Sequence, residues 1–89
     1  MLQFVATIRV RPKDEVRDPQ GESVAGALRA LGFDVADVRT GKEIVVRFSA
    51  ASEDAARDAA RTMGDQLLAN PVIEDYEVSL GAPVETLAR

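Results

Sequence analysis

The sequence predicts an α+β fold of the ferredoxin-like β-α-β-β-α-β type, an antiparallel sheet with two helices on one face. Three observations lead there. Apolar residues alternate with period two over residues 2–11, 42–50 and 72–80. Between those stretches lie two segments of helical period, each opened by a capping residue and closed by Gly or Pro. Finally, 89 residues leave room for one hydrophobic core only.

In the first strand Leu2, Phe4, Ala6, Ile8 and Val10 share one face, and Pro12 ends the run because it cannot donate to a ladder. Asp18-Pro19 then opens a helix: the aspartate carboxylate accepts a free backbone N–H, and proline suits the first helical position. Val24, Ala27, Leu28 and Leu31 form its apolar stripe, and Gly32 provides a left-handed stop. Residues 35–40 and 42–50 read as two strands around a turn at Thr40-Gly41, hence an antiparallel hairpin. Ser52 caps a second helix with the stripe Ala56, Ala59, Ala60, Met63 and Leu67; Glu53–Arg57 and Arg61–Asp65 are spaced to pair on its wet side. Asn70-Pro71 closes that helix, and a last strand over residues 72–80 turns Tyr76, Val78 and Leu80 to one side. The domain is expected over residues 1–80, with a tail over residues 81–89 in which Val84 and Leu87 are the apolar positions available for docking.

Right-handed crossovers put both helices on the same side of the sheet. Val5, Val45 and Ile73 are then expected on the bare side, where another subunit would cover them.

Composition narrows function by exclusion. Four aromatic residues and fourteen alanines make a thin core, and domains of this size usually rely on disulfides, metals or oligomerisation. The chain has no Cys and no His, which removes disulfides, thiolate nucleophiles, His-paired serines, and zinc or haem ligation of the ordinary kinds. Self-association remains, as a homodimer or tetramer. A net charge of −4 argues against a nucleic-acid binder, and no apolar run approaches the ~20 residues of a membrane span. Lack of cysteine fits a cytoplasmic protein. No phosphate-binding glycine pattern is present. Glu74, Asp75 and Glu77 do not make a magnesium site, because alternation sends Glu74 to the opposite face from the other two.

Three segments stand out. Glu15-Val16-Arg17-Asp18-Pro19-Gln20-Gly21 sets a rigid proline, an amide and a glycine at the strand-to-helix connection, which as architecture is a helix cap. Asp37-Val38-Arg39-Thr40-Gly41-Lys42 sets two cations on the expected hairpin tip, a place for contact, although lone surface cations are usually solvated. Leu67-Leu68-Ala69-Asn70-Pro71-Val72-Ile73-Glu74-Asp75-Tyr76 joins a helix exit to a strand entry.

In this order and at these separations, with Pro12-Lys13 ahead of them, the segments closely resemble the PurS family, the small subunit of phosphoribosylformylglycinamidine synthase. The resemblance runs from about Phe4 to Val78. It implies a place in an ATP- and glutamine-dependent step of purine synthesis, in which the amide of formylglycinamide ribonucleotide becomes an amidine. A large synthetase subunit would use ATP and magnesium, and a glutaminase subunit would use glutamine. The PurS-like chain would bind no cofactor, carry no catalytic residue, and bridge the two while self-associating. Asp18, Pro19, Gln20 and Gly21, with Arg39, Gly41 and Lys42, are the candidate partner-contact residues.

A different class competes with this reading. Regulatory amino-acid-binding modules of the ACT type resemble the same plan and hold their ligand at a dimer interface near the first strand-to-helix loop, where Asp18-Pro19-Gln20-Gly21 falls. Such modules are usually attached to a catalytic or DNA-binding domain, whereas these residues make up a single domain. A stand-alone enzyme is disfavoured, since the chain supplies neither nucleophile nor phosphate cradle.

Overall fold

In the computed structural model, which describes residues 1–81, the central strand is the first one. β1 (Leu2–Pro12) pairs antiparallel with β2 (Lys42–Ala50) on one side and β3 (Glu74–Gly81) on the other. Its alternation places Ala6, Ile8 and Val10 on one face, each no more than 1% exposed, and these form the heart of the core. Register puts Ile8 opposite Ile44 and Val78, and Ala6 opposite Val46 and Leu80, so all three strands contribute to the same apolar face. Gly81 ends β3; the rest of the expected tail, with Val84 and Leu87, lies outside the described residues.

Helix α1 (Pro19–Ala30) and helix α2 (Glu53–Met63) begin where the capping residues require. Gly21 N–H donates to Asp18 at 3.0 Å, and Ala55 N–H donates to Ser52 Oγ at 3.1 Å. Past the end of α1, Gly32 N–H donates to the Arg29 carbonyl, and the φ of 100° at Gly32 turns Phe33 N–H back to that of Leu28. α2 lies across the sheet and contributes Ala56 and Ala60, both fully buried, whose short side chains permit close approach.

The ferredoxin-like α+β arrangement stands, with three corrections. Residues 35–40 are not a strand, and the hairpin around Thr40-Gly41 does not form. The groups a ladder would need are already engaged: Arg29 holds the carbonyls of Val35 and Ala36, and the N–H of Thr40 is bonded to Asp18. Among the described residues the sheet therefore has three strands, in the order β2-β1-β3.

Second, α1 does not lie on the sheet. It makes no substantial contact with any strand or with α2, and its stripe is uncovered, with Val24 38%, Leu31 74% and Phe33 59% exposed. Third, the end of α2 changes pitch. Gly64–Leu68 forms a π-helical turn, and the wider turn rotates Leu67 into solvent and Leu68 toward the core. Beyond it, Asn70 Oδ1 accepts from Val72 N–H, and the Asn70 carbonyl accepts from Ile73 and Glu74. This turn takes Val72 and Ile73 out of the last strand, which starts at Glu74.

The bare side of the sheet is also more polar than expected. Val5 is opposite Arg47, Thr7 lies between Val45 and Ser79, and Arg9 lies between Glu43 and Glu77. Ile73 is outside the sheet, so Val5 and Val45 are the apolar side chains of that face.

Candidate functional site

The candidate residues meet where β1 hands the chain to α1. Asp18 is 6% exposed, and its carboxylate is shared between two segments. It accepts from Gly21 N–H in the first turn of α1, from Thr40 N–H at 2.6 Å, and from Thr40 Oγ1 at 3.0 Å. The N-cap is thus also a latch holding residues 33–41 against the start of α1. These bonds stabilise the charged form, so the Asp18 carboxyl titrates below the ordinary aspartate range; the Thr40 backbone contributes most, then the Gly21 backbone. Thr40 is the residue that sequence reasoning missed. Its place in the Thr40-Gly41 turn was visible, but its partner 22 positions away was not.

Gly21 is buried, and a Cβ there would collide with the Val38 carbonyl oxygen, so close approach of helix and arm demands glycine. Gly41 passes equally close to the Val10 carbonyl at the start of β2. Arg39 is not a free cation on a hairpin tip. Its guanidinium donates to the carbonyls of Lys13 and Val16, both at 2.7 Å, tying the arm to the loop after β1. Pro19, Gln20 and Lys42 are exposed. Beside them Arg17 and Glu22 form an exposed ion pair at 3.0 Å, which lowers the Glu22 carboxyl below its ordinary range, mainly through the hydrogen bond from Arg17.

Of the seven candidates, Asp18, Gly21, Arg39 and Gly41 therefore shape the junction, and Pro19, Gln20 and Lys42 face solvent from it. An open groove of about 350 Å³ runs between α1 and the arm, lined by Asp18, Glu22, Arg29, Asp37 and Arg39 among others. Asp18 already accepts from three donor groups, and Arg29 and Arg39 are bonded to backbone carbonyls. The groove thus offers few uncommitted groups to an amino-acid ligand.

A second polar cluster closes the far end of α2. Tyr76 OH donates to Asp65 at 2.6 Å and lies 3.0 Å from the Arg61 carbonyl, with its ring against Gly64. The bond to Asp65 leads in raising the Tyr76 phenol above its ordinary pKa, with burial adding to it. It also takes Asp65 from its expected pairing with Arg61, which lies instead 3.9 Å from Asp58. The Glu53–Arg57 pair forms as expected.

Comparisons with known proteins agree with this architecture. The family model described as PurS, phosphoribosylformylglycinamidine (FGAM) synthase, matches residues 5–82. A phosphoribosylformylglycinamidine synthase subunit PurS from Synechocystis is 46% identical over 70 residues, covering 78% of this chain and 70% of the relative. The one from Thermotoga maritima is 37% identical over 79 residues, covering 88% and 96%. Among solved structures, PurS of Thermus thermophilus superposes with a TM-score of 0.83 at 38% identity, covering 93% of this chain and all of that one. A chain in the structure of PurLQS from Thermotoga maritima gives 0.84 at 35% identity, covering 91% of this chain and 100% of its own length. With a family model matched over most of its length and relatives of this similarity, the chain belongs to the PurS family of phosphoribosylformylglycinamidine synthase subunits.

Proposed function

We propose that this chain is a non-catalytic bridging subunit of a cytoplasmic phosphoribosylformylglycinamidine synthase, joining a large synthetase subunit to a glutaminase subunit. The observation that carries the reading is the placement of α1. An amphipathic helix is held clear of its own sheet with its apolar stripe uncovered, as suits a component completed by others. The similarity to a chain from a PurLQS structure supports the same assignment.

In the assembled enzyme ATP phosphorylates the amide oxygen of formylglycinamide ribonucleotide on the synthetase. Glutamine hydrolysis on the glutaminase releases ammonia, which attacks the activated carbon and expels phosphate to leave the amidine. ATP, magnesium and glutamine are used by those partners. The bridge acts by proximity: free ammonia is largely protonated at neutral pH and then no nucleophile, so holding the two sites in register limits its loss. Pro19, Gln20 and Lys42 form the contact surface, and Asp18, Gly21, Arg39 and Gly41 set its shape.

Reconstitution tests the proposal. With synthetase and glutaminase present, omitting this chain should abolish amidine formation from glutamine while sparing formation from added ammonium. A full glutamine-dependent rate without it would sink the bridging role. Changing Gln20 and Lys42 together to alanine should weaken three-component assembly on a sizing column. Calorimetric titration of the isolated chain with glutamine should show no heat of binding; tight binding would point to a regulatory module.

A further inference from the structure

Sequence periodicity assigns Leu67 to the buried stripe of α2, yet the π-helical turn at Gly64–Leu68 carries it outward until it is 82% exposed. Such turns are rare and frequently mark functional sites. Val72 and Ile73 stand exposed just beyond it, as does Pro71 before them. Four apolar side chains thus meet solvent within seven positions, and leaving them there gives the isolated chain no burial energy. The segment that displays them is stiff. Ala69 N–H donates to the Gly64 carbonyl at 3.0 Å, Asn70 N–H to Glu74 Oε1 at 2.7 Å, and Lys13 N–H to the Ile73 carbonyl at 2.8 Å. Tyr76 clamps the turn from the other side through its bond to Asp65. A segment fixed in this way loses little conformational freedom when something binds it.

We infer that this ridge, Leu67 with Pro71, Val72 and Ile73, is a second docking surface, and that it takes a partner subunit presenting aliphatic side chains beside Lys or Arg. The charge of the partner follows from the surroundings. Asp65, Glu74 and Asp75 line an open groove of about 350 Å³ that Pro71 also borders, and residues 63–81 contain no Lys or Arg. A cation entering that groove is attracted by three carboxylates, whereas an acidic partner is repelled. The ridge is separate from the surface of Pro19, Gln20 and Lys42. Register sets Lys42 opposite Val10 and Glu74 opposite Pro12, so the two surfaces lie at the same end of the sheet, on its two flanks. Only β1 stands between those flanks, a separation of ~10 Å from β2 to β3. A bridge between two subunits needs two surfaces, and this placement sets the subunits side by side instead of at the far ends of a 51 Å molecule. The inference rests on the bridging role and says where the second subunit is held.

Leu67 and Val72 are exposed, so a chain with Leu67→Gln and Val72→Gln should keep the circular dichroism and urea midpoint of the parent. Run on a sizing column with synthetase and glutaminase, the parent should carry both. The double variant should lose one of them from the peak, its affinity for that subunit falling at least tenfold in titration, and retain the other. The chain with Gln20 and Lys42 changed to alanine should show the opposite preference. Asp75→Lys should weaken the same contact as the double variant; unchanged or tighter binding would overturn the basic character of the partner. Full assembly by the double variant beside an assembling parent would overturn the inference, as would loss of the same subunit by both sets of changes. A lower mass for the double variant alone in light scattering would reassign the ridge to a contact between copies and overturn it too. A parent that carries neither subunit would instead refute the bridging role, and the inference with it.

Discussion

Asp18 shows how one side chain can serve local and distant structure together. As an N-cap it obeys a rule readable from Asp18-Pro19 alone; as the partner of Thr40 it depends on a loop that returns only in the folded chain. Its pKa is lowered on folding, so its contribution to stability is present above the ordinary carboxylate range, near pH 4, and fades as pH falls through the lowered value. Thermal melts of the parent and of Asp18→Asn should therefore differ most at neutral pH, the variant melting about 4 °C or more lower. The two should converge as pH falls below the lowered value. A gap that persists in acid would mean the carboxylate charge is not what holds the latch. Arg39 teaches the complementary lesson: its sequence neighbours suggest a solvated cation, yet two backbone carbonyls from another loop claim it.

Elements were legible where local rules and tertiary demands agreed. β1, β2, the starts of both helices and the glycine stop of α1 follow from period, caps and breakers. The failures have physical causes. Residues 35–40 have the composition of a strand, but their backbone groups are satisfied by side chains from α1 and β1's exit loop. The end of α2 looks like continuous helix, but one π-helical turn changes the phase. That phase is testable. Uniform helix geometry would make Leu67 the core residue, whereas the structure leaves Leu67 82% exposed and packs Leu68 against the core. Leu67→Gln should alter urea-unfolding stability by no more than about 0.5 kcal/mol. Leu68→Ala should cost about 1–2 kcal/mol, less than a fully buried leucine would. The reverse order would refute the π-helical register.

At the scale of the molecule, the radius of gyration is 16.3 Å, against about 12 Å for a compact domain of this length. The excess is α1 and its arm, and it gives the thin core foreseen from composition a spatial form: of the two helices expected on the sheet, only α2 packs on it. The polar side of the sheet does not call for cover in the same way, because Val5 and Val45 sit among Thr7, Ser79, Arg47 and Arg9. Val45→Glu should accordingly change urea-unfolding stability by no more than about 0.5 kcal/mol. A larger loss would mean that this side of the sheet is covered after all.

The sequence by itself determined the class of fold, the first strand, the helix caps, the family, and the absence of cysteine and histidine chemistry. All of these depend on residue identity, local spacing or the order of motifs, and none needs a distant partner. Only the tertiary structure decided that Asp18 binds Thr40, that Arg39 is internal, that the fourth strand is consumed as an arm, and that α1 stands off its sheet. Those outcomes turn on which of several suitable donors and apolar faces meet in space. Periodicity can say that a helix has a face to bury, but not whether its own sheet will bury it.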